Sequence, residues 1–338
     1  MDSIDTSVLK IMGMVEETQY KVLKNINAEL IQLYWNVGKY LFEESSNSDW
    51  GDSFIDETAS RLKERYPDLK GYDRRNLYRM RQFYEVYHKS EFVSTVMTQL
   101  SWTNHMLILS GTRSMEEKEF YIRLSLHEKY SARELKRQID SSYYERSQIS
   151  GQTITTKNKE LPFLNNYVLE FLNLPKEYSE KDLKSAIVQN LKGFILEIGK
   201  DFSFVSEEFR IQVGDSEYYI DLLFYHRGLN CLVAFELKIG KFQPDFLGKM
   251  NFYLEALDRE CKKTKENPAI GIILCTSKEE EVVEYAMSRN LSPAMISEYS
   301  IQLIDKKVLQ KKLKELKKML SESDQMFFLP IAGPSKKQ

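Results

Sequence analysis

Cysteine is scarce in this chain, and the marks of several protein classes are missing with it. The three cysteines, Cys231, Cys261 and Cys275, are odd in number and widely spaced, with no CxxC pair. Reduced thiols are therefore expected, not a disulfide framework or a structural zinc site. No apolar run approaches the roughly 18 residues that cross a bilayer, and the opening MDSIDTSVLK lacks the basic-then-apolar layout of a signal peptide. A soluble, cytoplasmic protein without a membrane partner is the expectation. No GxxxxGKS/T loop is present to cradle nucleotide phosphates, which argues against ATP-driven restriction or helicase work within this chain, and no elbow motif supports Ser-His-Asp catalysis. There is no internal repeat. The formal net charge is only −2, so a uniformly basic coat is excluded while local basic patches are not.

What is present divides in two. With 338 residues, 42% of them hydrophobic, the chain can bury a substantial core and has the length for two domains. From about Ile4 to Arg146 apolar residues recur at helical spacing, as in INAELIQLYWNVGKYLFEE, where Ile26, Leu30, Leu33, Tyr34 and Val37 share one face. Between Ser147 and Leu161 the sequence SQISGQTITTKNKEL loses that period and turns polar. We expect an all-α domain over 1–150, a linker at 151–162, a mixed α/β domain over 163–320 and a tail at 321–338.

In the second half, Ser179 with Asp182 three residues on reads as a capping box, and Leu183, Ile187, Leu191, Phe194 and Ile198 continue one helix that Gly199 can end. Strand patterns follow near Phe202 to Val213, in two runs separated by RGLN, and in AIGIILCTS. Pro244 opens another helix, and SKEEEVVEYAMSRN supplies one more. That order predicts a mixed sheet with helices on its faces. The lysines from Lys306 to Lys318 suit a solvated helix face better than a phosphate contact.

The informative stretch is YYIDLLFYHRGLNCLVAFELK, Tyr218 to Lys238. If RGLN closes a hairpin, with Gly228 and Leu229 central in a type II′ turn, the register sets Asp221 across from Glu236; a symmetric four-residue loop sets the same register. Alternation then puts Lys238 on the face of Glu236, beside Asp221. Two carboxylates facing each other among apolar residues repel, and burying them without compensation is costly. Lys238 can supply one positive charge. Two carboxylates are also an oxygen-rich holder for Mg²⁺ or Mn²⁺, with other positions left to water and phosphate. Such a site suits phosphodiester hydrolysis, with Lys238 orienting water or stabilising charge. The competing reading is a structural ion-pair cluster at a sheet edge. Charges on adjacent apolar strands favour function over it.

These residues resemble the Asp…Glu-x-Lys core of the PD-(D/E)XK nucleases, here Asp221 in ID and Glu236 to Lys238 in ELK. More broadly, IDLLFYHRGLNCLVAFELKIGKFQPDFLGKMNFYLEAL, with LEIGKDFSFV before it and GIILC after it, is similar to the bacterial YhcG-like family. So are LYWNVGK, RRNLYRMRQFY, QLSWTNH and SARELKRQI in the first half. The resemblance covers roughly Ile26 to Leu320. It implies a helical N-terminal domain followed by a restriction-endonuclease-like αβββαβ domain, and a Mg²⁺-dependent endonuclease on duplex or branched DNA. It further implies metal held by Asp221, Glu236 and the Leu237 carbonyl, with Lys238 assisting water. For the motif's first helical acid we take Glu197, at the border of its helix's apolar stripe, over Asp182 further to the solvent side; an exposed surface acid is the competing reading. Lys249 stands where such proteins often carry glutamine.

Basic residues suggest where nucleic acid would dock. In FIDETASRLKERYPDLKGYDRRNLYRMRQFY, two helical patterns flank a turn with Pro67 and Gly71, and the second opens with Arg74, Arg75, Asn76 and Arg79, interleaved with Tyr72 and Tyr78. The layout fits a helix-turn-helix, and equally an arginine-rich helix face or an assembly surface. Lys241, Lys249 and Lys263 could rim the acidic site or be solvated surface. Trp102 and His105 read as core, and His226 points away from Asp221. Three readings stay open: a DNA endonuclease, an RNA-directed one, and a non-catalytic binding protein on a nuclease-like scaffold. Cutting both strands of a duplex would favour a homodimer.

Overall fold

A computed structural model describes residues 3–47, 53–151, 163–290 and 292–315. Contacts divide the chain into Met1–Ile139 and Asp140–Gln338. Residues 152–162, most of the expected linker, and 316–338, including the expected tail, lie outside the described residues.

The first unit has helices and no strand among its described residues: α1 (Ser3–Asn47), α2 (Ser53–Arg65), α3 (Arg74–Tyr87), α4 (Glu91–Val96), α5 (Trp102–Gly111), α6 (Met115–Glu128) and α7 (Ala132–Asp140). Asp73, Ser90, Ser101 and Ser114 each stand just before a helix and accept a backbone N–H from its first turn, satisfying one otherwise unpaired donor. The close approach of α1 to α3 depends on Gly38, where an added Cβ would lie 2.1 Å from the Met80 carbonyl oxygen. Around Phe83 the rings of Trp35, Tyr87, Trp102 and His105 meet at centroid separations of 4.8–5.6 Å. His105 is buried, and its Nε2 lies 2.8 Å from the Met97 carbonyl. Trp102 and His105 are packing residues, as expected.

The second unit opens with α8 (Tyr143–Gly151), then β1 (Asn166–Val168), α9 (Glu180–Gln189), α10 (Leu191–Ile198), β2 (Phe202–Val213), β3 (Ser216–His226), β4 (Cys231–Leu237), α11 (Pro244–Ala256), β5 (Ile270–Cys275), α12 (Glu280–Met287) and β6 (Ala294–Ser300). The six strands form one sheet in the order β1-β6-β5-β4-β3-β2. The pairs β2·β3 and β3·β4 are antiparallel, whereas β4·β5, β5·β6 and β1·β6 are parallel. Leu183 and Ile187 of α9 and Phe194 and Ile198 of α10 cover one face. Leu247, Met250, Tyr253 and Leu254 of α11 cover the other. Between these two apolar layers the sheet carries Asp221 in the middle of β3 and Glu236 near the end of β4.

Three details depart from the sequence reading. The helix expected to run unbroken from Leu183 to Ile198 is two, because Asn190 leaves helical geometry at φ −112°, ψ 35° between α9 and α10. Edge strand β1 and its neighbour β6 were not foreseen; β1 has only 3 residues, too few to show a period. The β3–β4 connection is the four-residue loop Arg227 to Asn230, not a two-residue type II′ turn. Asn230, with φ 53°, supplies the left-handed step, and the Leu229 N–H donates to His226 Nδ1 at 3.1 Å. The predicted register survives because the loop is symmetric about the same centre.

Candidate active site

The β3–β4 ladder pairs His226 with Cys231 and continues without a slip to Leu222 opposite Phe235. Asp221 and Glu236 are the next residues of the two strands. There the strands exchange backbone pairing for a side-chain bond: Asp221 Oδ2 accepts the Leu237 N–H at 2.9 Å. On the other side of β3, Glu208 lies opposite Asp221, between the pairs Glu207↔Leu222 and Phe209↔Ile220, with φ 46°. A left-handed glutamate in a strand is strained, and it interrupts the edge ladder at the acid.

The two helical layers bring lysines to these acids. From α9, Lys184 Nζ approaches Asp221 Oδ1 at 3.4 Å and also pairs with Glu208. From α11, Lys249 Nζ lies 2.6 Å from Glu236 Oε1, and Lys238 Nζ reaches the same oxygen at 3.1 Å. Lys238 also donates to Glu180 Oε2 at 3.1 Å, and the Ile239 N–H to Glu180 Oε1 at 3.3 Å. Glu180, the first residue of α9, thus reaches the end of β4. It is the helical acid that touches the Glu236–Lys238 pair, and the capping-box pattern at Ser179 marked its position without marking its role.

Glu236 is 1% exposed, and its Oε2 makes no hydrogen bond among the described residues. A buried carboxylate oxygen without a donor is unusual and asks for a partner. Burial works against the ammonium of Lys238, but the Glu236 and Glu180 carboxylates more than offset it and raise its pKa above the ordinary lysine value. Lys249, also opposed by burial, is raised further by its hydrogen bond to Glu236. Both lysines are cations at neutral pH. Lys238 is therefore a source of positive charge and N–H donors, not a general base.

Asp221 and Glu236 supply carboxylate oxygens here, with Lys184, Lys238 and Lys249 already paired to them. Among the described residues no three His, Cys, Asp or Glu side chains converge as a metal cage. Two carboxylates plus a carbonyl, with remaining positions for water and phosphate, suit Mg²⁺ better than a closed structural site. The unbonded Glu236 oxygen fits that role.

Known proteins resemble both halves of the chain. Residues 161–314 match the YhcG PDDEXK nuclease domain, and residues 10–146 match the DUF1016 N-terminal domain. The chain is 29% identical over 355 aligned positions to YhcG of Escherichia coli (strain K12), itself named a candidate nuclease, spanning 92% of this chain and 94% of that protein. Side by side the two domain models cover most of the chain, which is similar to YhcG over nearly its whole length. Two solved structures share a local likeness with this YhcG-like chain. A repair endonuclease from Pyrococcus abyssi is 21% identical over 38% of this chain at a TM-score of 0.27, and apo EndoMS is 17% identical over 39% at 0.26. Each match spans 49% of the solved chain, about half its length.

The remaining candidates in this YhcG-like chain are placed as follows. Glu197 is set apart from the lysine-bound acids. It lies on α10, where its Oε1 accepts Arg146 Nη1 of α8 at 2.5 Å and the Val168 N–H at 2.8 Å, both side chains of the ion pair being 0% exposed. Lys241 pairs with Glu279. In the first unit, Arg74 is engaged by Asp56 at 2.6 Å, and the Asn76 side chain donates to Asp73 at 2.7 Å within the cap of α3. Arg75 is exposed and Arg79 half-buried one turn on, with Tyr78 between them. The expected helix-turn-helix residues thus split into two engaged by acids near the start of α3 and two, Arg75 and Arg79, that are exposed and half-buried respectively. No helix among the described residues is long and apolar enough to cross a membrane.

Proposed function

We propose that this YhcG-like protein is a divalent-metal-dependent endonuclease that hydrolyses phosphodiester bonds in DNA, in repair, recombination or defence against foreign DNA. The observation that carries the reading is Glu236: a buried carboxylate with one oxygen gripped by two lysines and the other without a partner, one residue beyond the last pair of the β3–β4 ladder. PDDEXK nucleases generally use divalent metal ions. Asp221, Glu236 and the Leu237 carbonyl would hold one, Mg²⁺ or Mn²⁺, and it would acidify a water and neutralise phosphate charge. Leu237 N–H fixes the Asp221 carboxylate in orientation. Lys238, held between Glu236 and Glu180, presents a cation to the phosphate as charge develops on its oxygens. Glu180 orients Lys238 and completes the acidic set in place of Glu197, whose carboxylate already serves Arg146 and Val168. Arg75 and Arg79 of α3 would grip backbone phosphates, and a homodimer would allow both strands of a duplex to be cut.

The test is cleavage of labelled plasmid, linear, branched and single-stranded DNA with Mg²⁺ or Mn²⁺, comparing wild type with Glu236→Gln, Asp221→Asn and Lys238→Ala. Loss of cleavage in all three supports the assignment. Cleavage retained by rigorously purified Glu236→Gln overturns it. The lysine contacts themselves favour one other reading, a neutralised scaffold that binds nucleic acid without cutting it. Magnesium separates the two, since an ion bound to the folded chain raises its melting temperature and a neutralised scaffold has no reason to respond.

A further inference from the structure

Lys249 is the residue that the proposed chemistry leaves without a task. It projects from α11, its side chain 47% exposed, and ends 2.6 Å from Glu236 Oε1. Its Nζ also lies 5.3 Å from the centre of the Tyr253 ring, one turn on in the same helix. Tyr253 is in turn pinned by a 2.7 Å bond from its hydroxyl to the Tyr219 carbonyl. The ammonium is therefore directed at the acid by a fixed neighbour and is not left free in solution. Glu236 thus carries two cations on one oxygen and none on the other, an uneven distribution for a carboxylate meant to share a metal ion. Lys238 has a second anchor in Glu180. Among the described residues Lys249 pairs with no acid but Glu236, so it is the cation that can leave.

We propose that Lys249 is a resident counter-cation at the acidic site: it neutralises Glu236 when no divalent ion is present, competes with that ion for the carboxylate, and is released toward the DNA backbone when the ion binds. The inference rests on the metal-binding reading of Asp221 and Glu236 and deepens it. It gives the site two charge states. Without metal, Lys249 relieves the buried carboxylate, and the fold does not carry an uncompensated charge. With metal, the displaced ammonium adds a phosphate contact beside the reacting group. Metal affinity is the quantity that lysine lowers, and DNA affinity in the presence of metal is the quantity it raises.

The experiment is isothermal titration of the full-length chain with Mn²⁺, and then of fluorescent duplex DNA binding in Ca²⁺, for wild type, Lys249→Gln, Lys249→Met, Lys181→Met and Asp221→Asn. Lys181 neighbours Glu180 on α9 and is exposed, so its variant controls for removing any nearby positive charge. The expected result is a Mn²⁺ Kd about tenfold lower in both Lys249 variants, the ratio that about 1.4 kcal/mol of removed competition gives, with Lys181→Met near wild type and DNA affinity in Ca²⁺ reduced for the Lys249 variants alone. An unchanged or higher Mn²⁺ Kd in the Lys249 variants overturns the proposal, as does an equal gain in Lys181→Met. If wild type binds Mn²⁺ and Asp221→Asn does not, failure of the Lys249 variants to respond sinks this inference and leaves the metal site standing. If wild type binds no Mn²⁺, both fall together.

Discussion

Replacing Glu197 with glutamine tests whether the fully enclosed acid of α10 serves the fold. Arg146 and Glu197 are both 0% exposed, and the guanidinium is satisfied on several sides: Nε to the Ser141 carbonyl at 3.0 Å, Nη2 to Ser141 Oγ at 2.9 Å, Nη1 to the Asn166 carbonyl at 3.0 Å and to Glu197 at 2.5 Å. Glutamine keeps the shape and an acceptor oxygen for Arg146 and Val168. What it removes is the charge, leaving a buried guanidinium uncompensated. Breaking one partner of such a pair costs about 3–5 kcal/mol. At about 2–4 °C per kcal/mol for a unit of this size, the second unit should melt about 6–20 °C lower. Far-UV circular dichroism at neutral pH follows that transition. Tryptophan fluorescence follows the first unit, since Trp35, Trp50 and Trp102 all precede Ile139. Combining Glu197→Gln with Arg146→Met removes both charges, and the double variant should be less destabilised than the two single costs added, by about 1–3 kcal/mol. Metal-dependent cleavage by Glu197→Gln, assayed well below its transition, should stay near wild type. A variant that melts within about 2 °C of wild type yet no longer cleaves DNA would refute the reasoning and return Glu197 to the chemistry.

Acid should loosen the first unit through His105, whose pKa burial pushes down to about 4. The neutral imidazole favours the fold above the unfolded value near 6.5, and that contribution drains away as pH falls from there toward 4, reaching on the order of 3 kcal/mol; melts of wild type and His105→Gln from pH 7.5 to 4.5 should show the steeper decline in wild type. Gly38→Ala should cost on the order of 1–3 kcal/mol by forcing α1 from α3, read as an earlier tryptophan-fluorescence transition. If Arg75 and Arg79 contact phosphates, alanine at each should weaken DNA binding across sequences and lower the salt slope by about 1, whereas Arg74→Ala, which frees Asp56, should act mainly on stability.

The parts of the fold that could be read in advance are those written inside one element. The hairpin register came from two apolar runs about a short loop, and it holds from Leu222↔Phe235 to His226↔Cys231 although the turn type differs. Pro244 marked the start of α11 because proline fits the first helical turn. The break at Asn190 was hidden for the opposite reason: the apolar positions of α9 and α10 stay in phase across it, so the periodicity records the shared face and not the interruption. Strand β6 was hidden because its identity depends on lying between β5 and β1, which the run AMISEYS does not reveal.

The site divides along the same line. Asp221, Glu236 and Lys238 stood out because a charge in an apolar strand violates that strand's own pattern. Lys184, Lys249 and Glu180 violate nothing in α9 or α11, where lysine and glutamate are ordinary helix residues; their meaning arises only when two helices dock on opposite faces and deliver them to the charged residues of β3 and β4. Glu197 shows the converse. At the border of an apolar stripe it faces inward, as a site acid should, but the helical wheel gives direction and not destination, and its destination includes an arginine 51 residues earlier in the chain. Glu180 and Glu197 are thus two helical acids whose sequence settings suggest the reverse of their surroundings. The one in the exposed first turn reaches Lys238 because the start of α9 lies against the end of β4, and the one on the inward face meets a buried cation that already neutralises it.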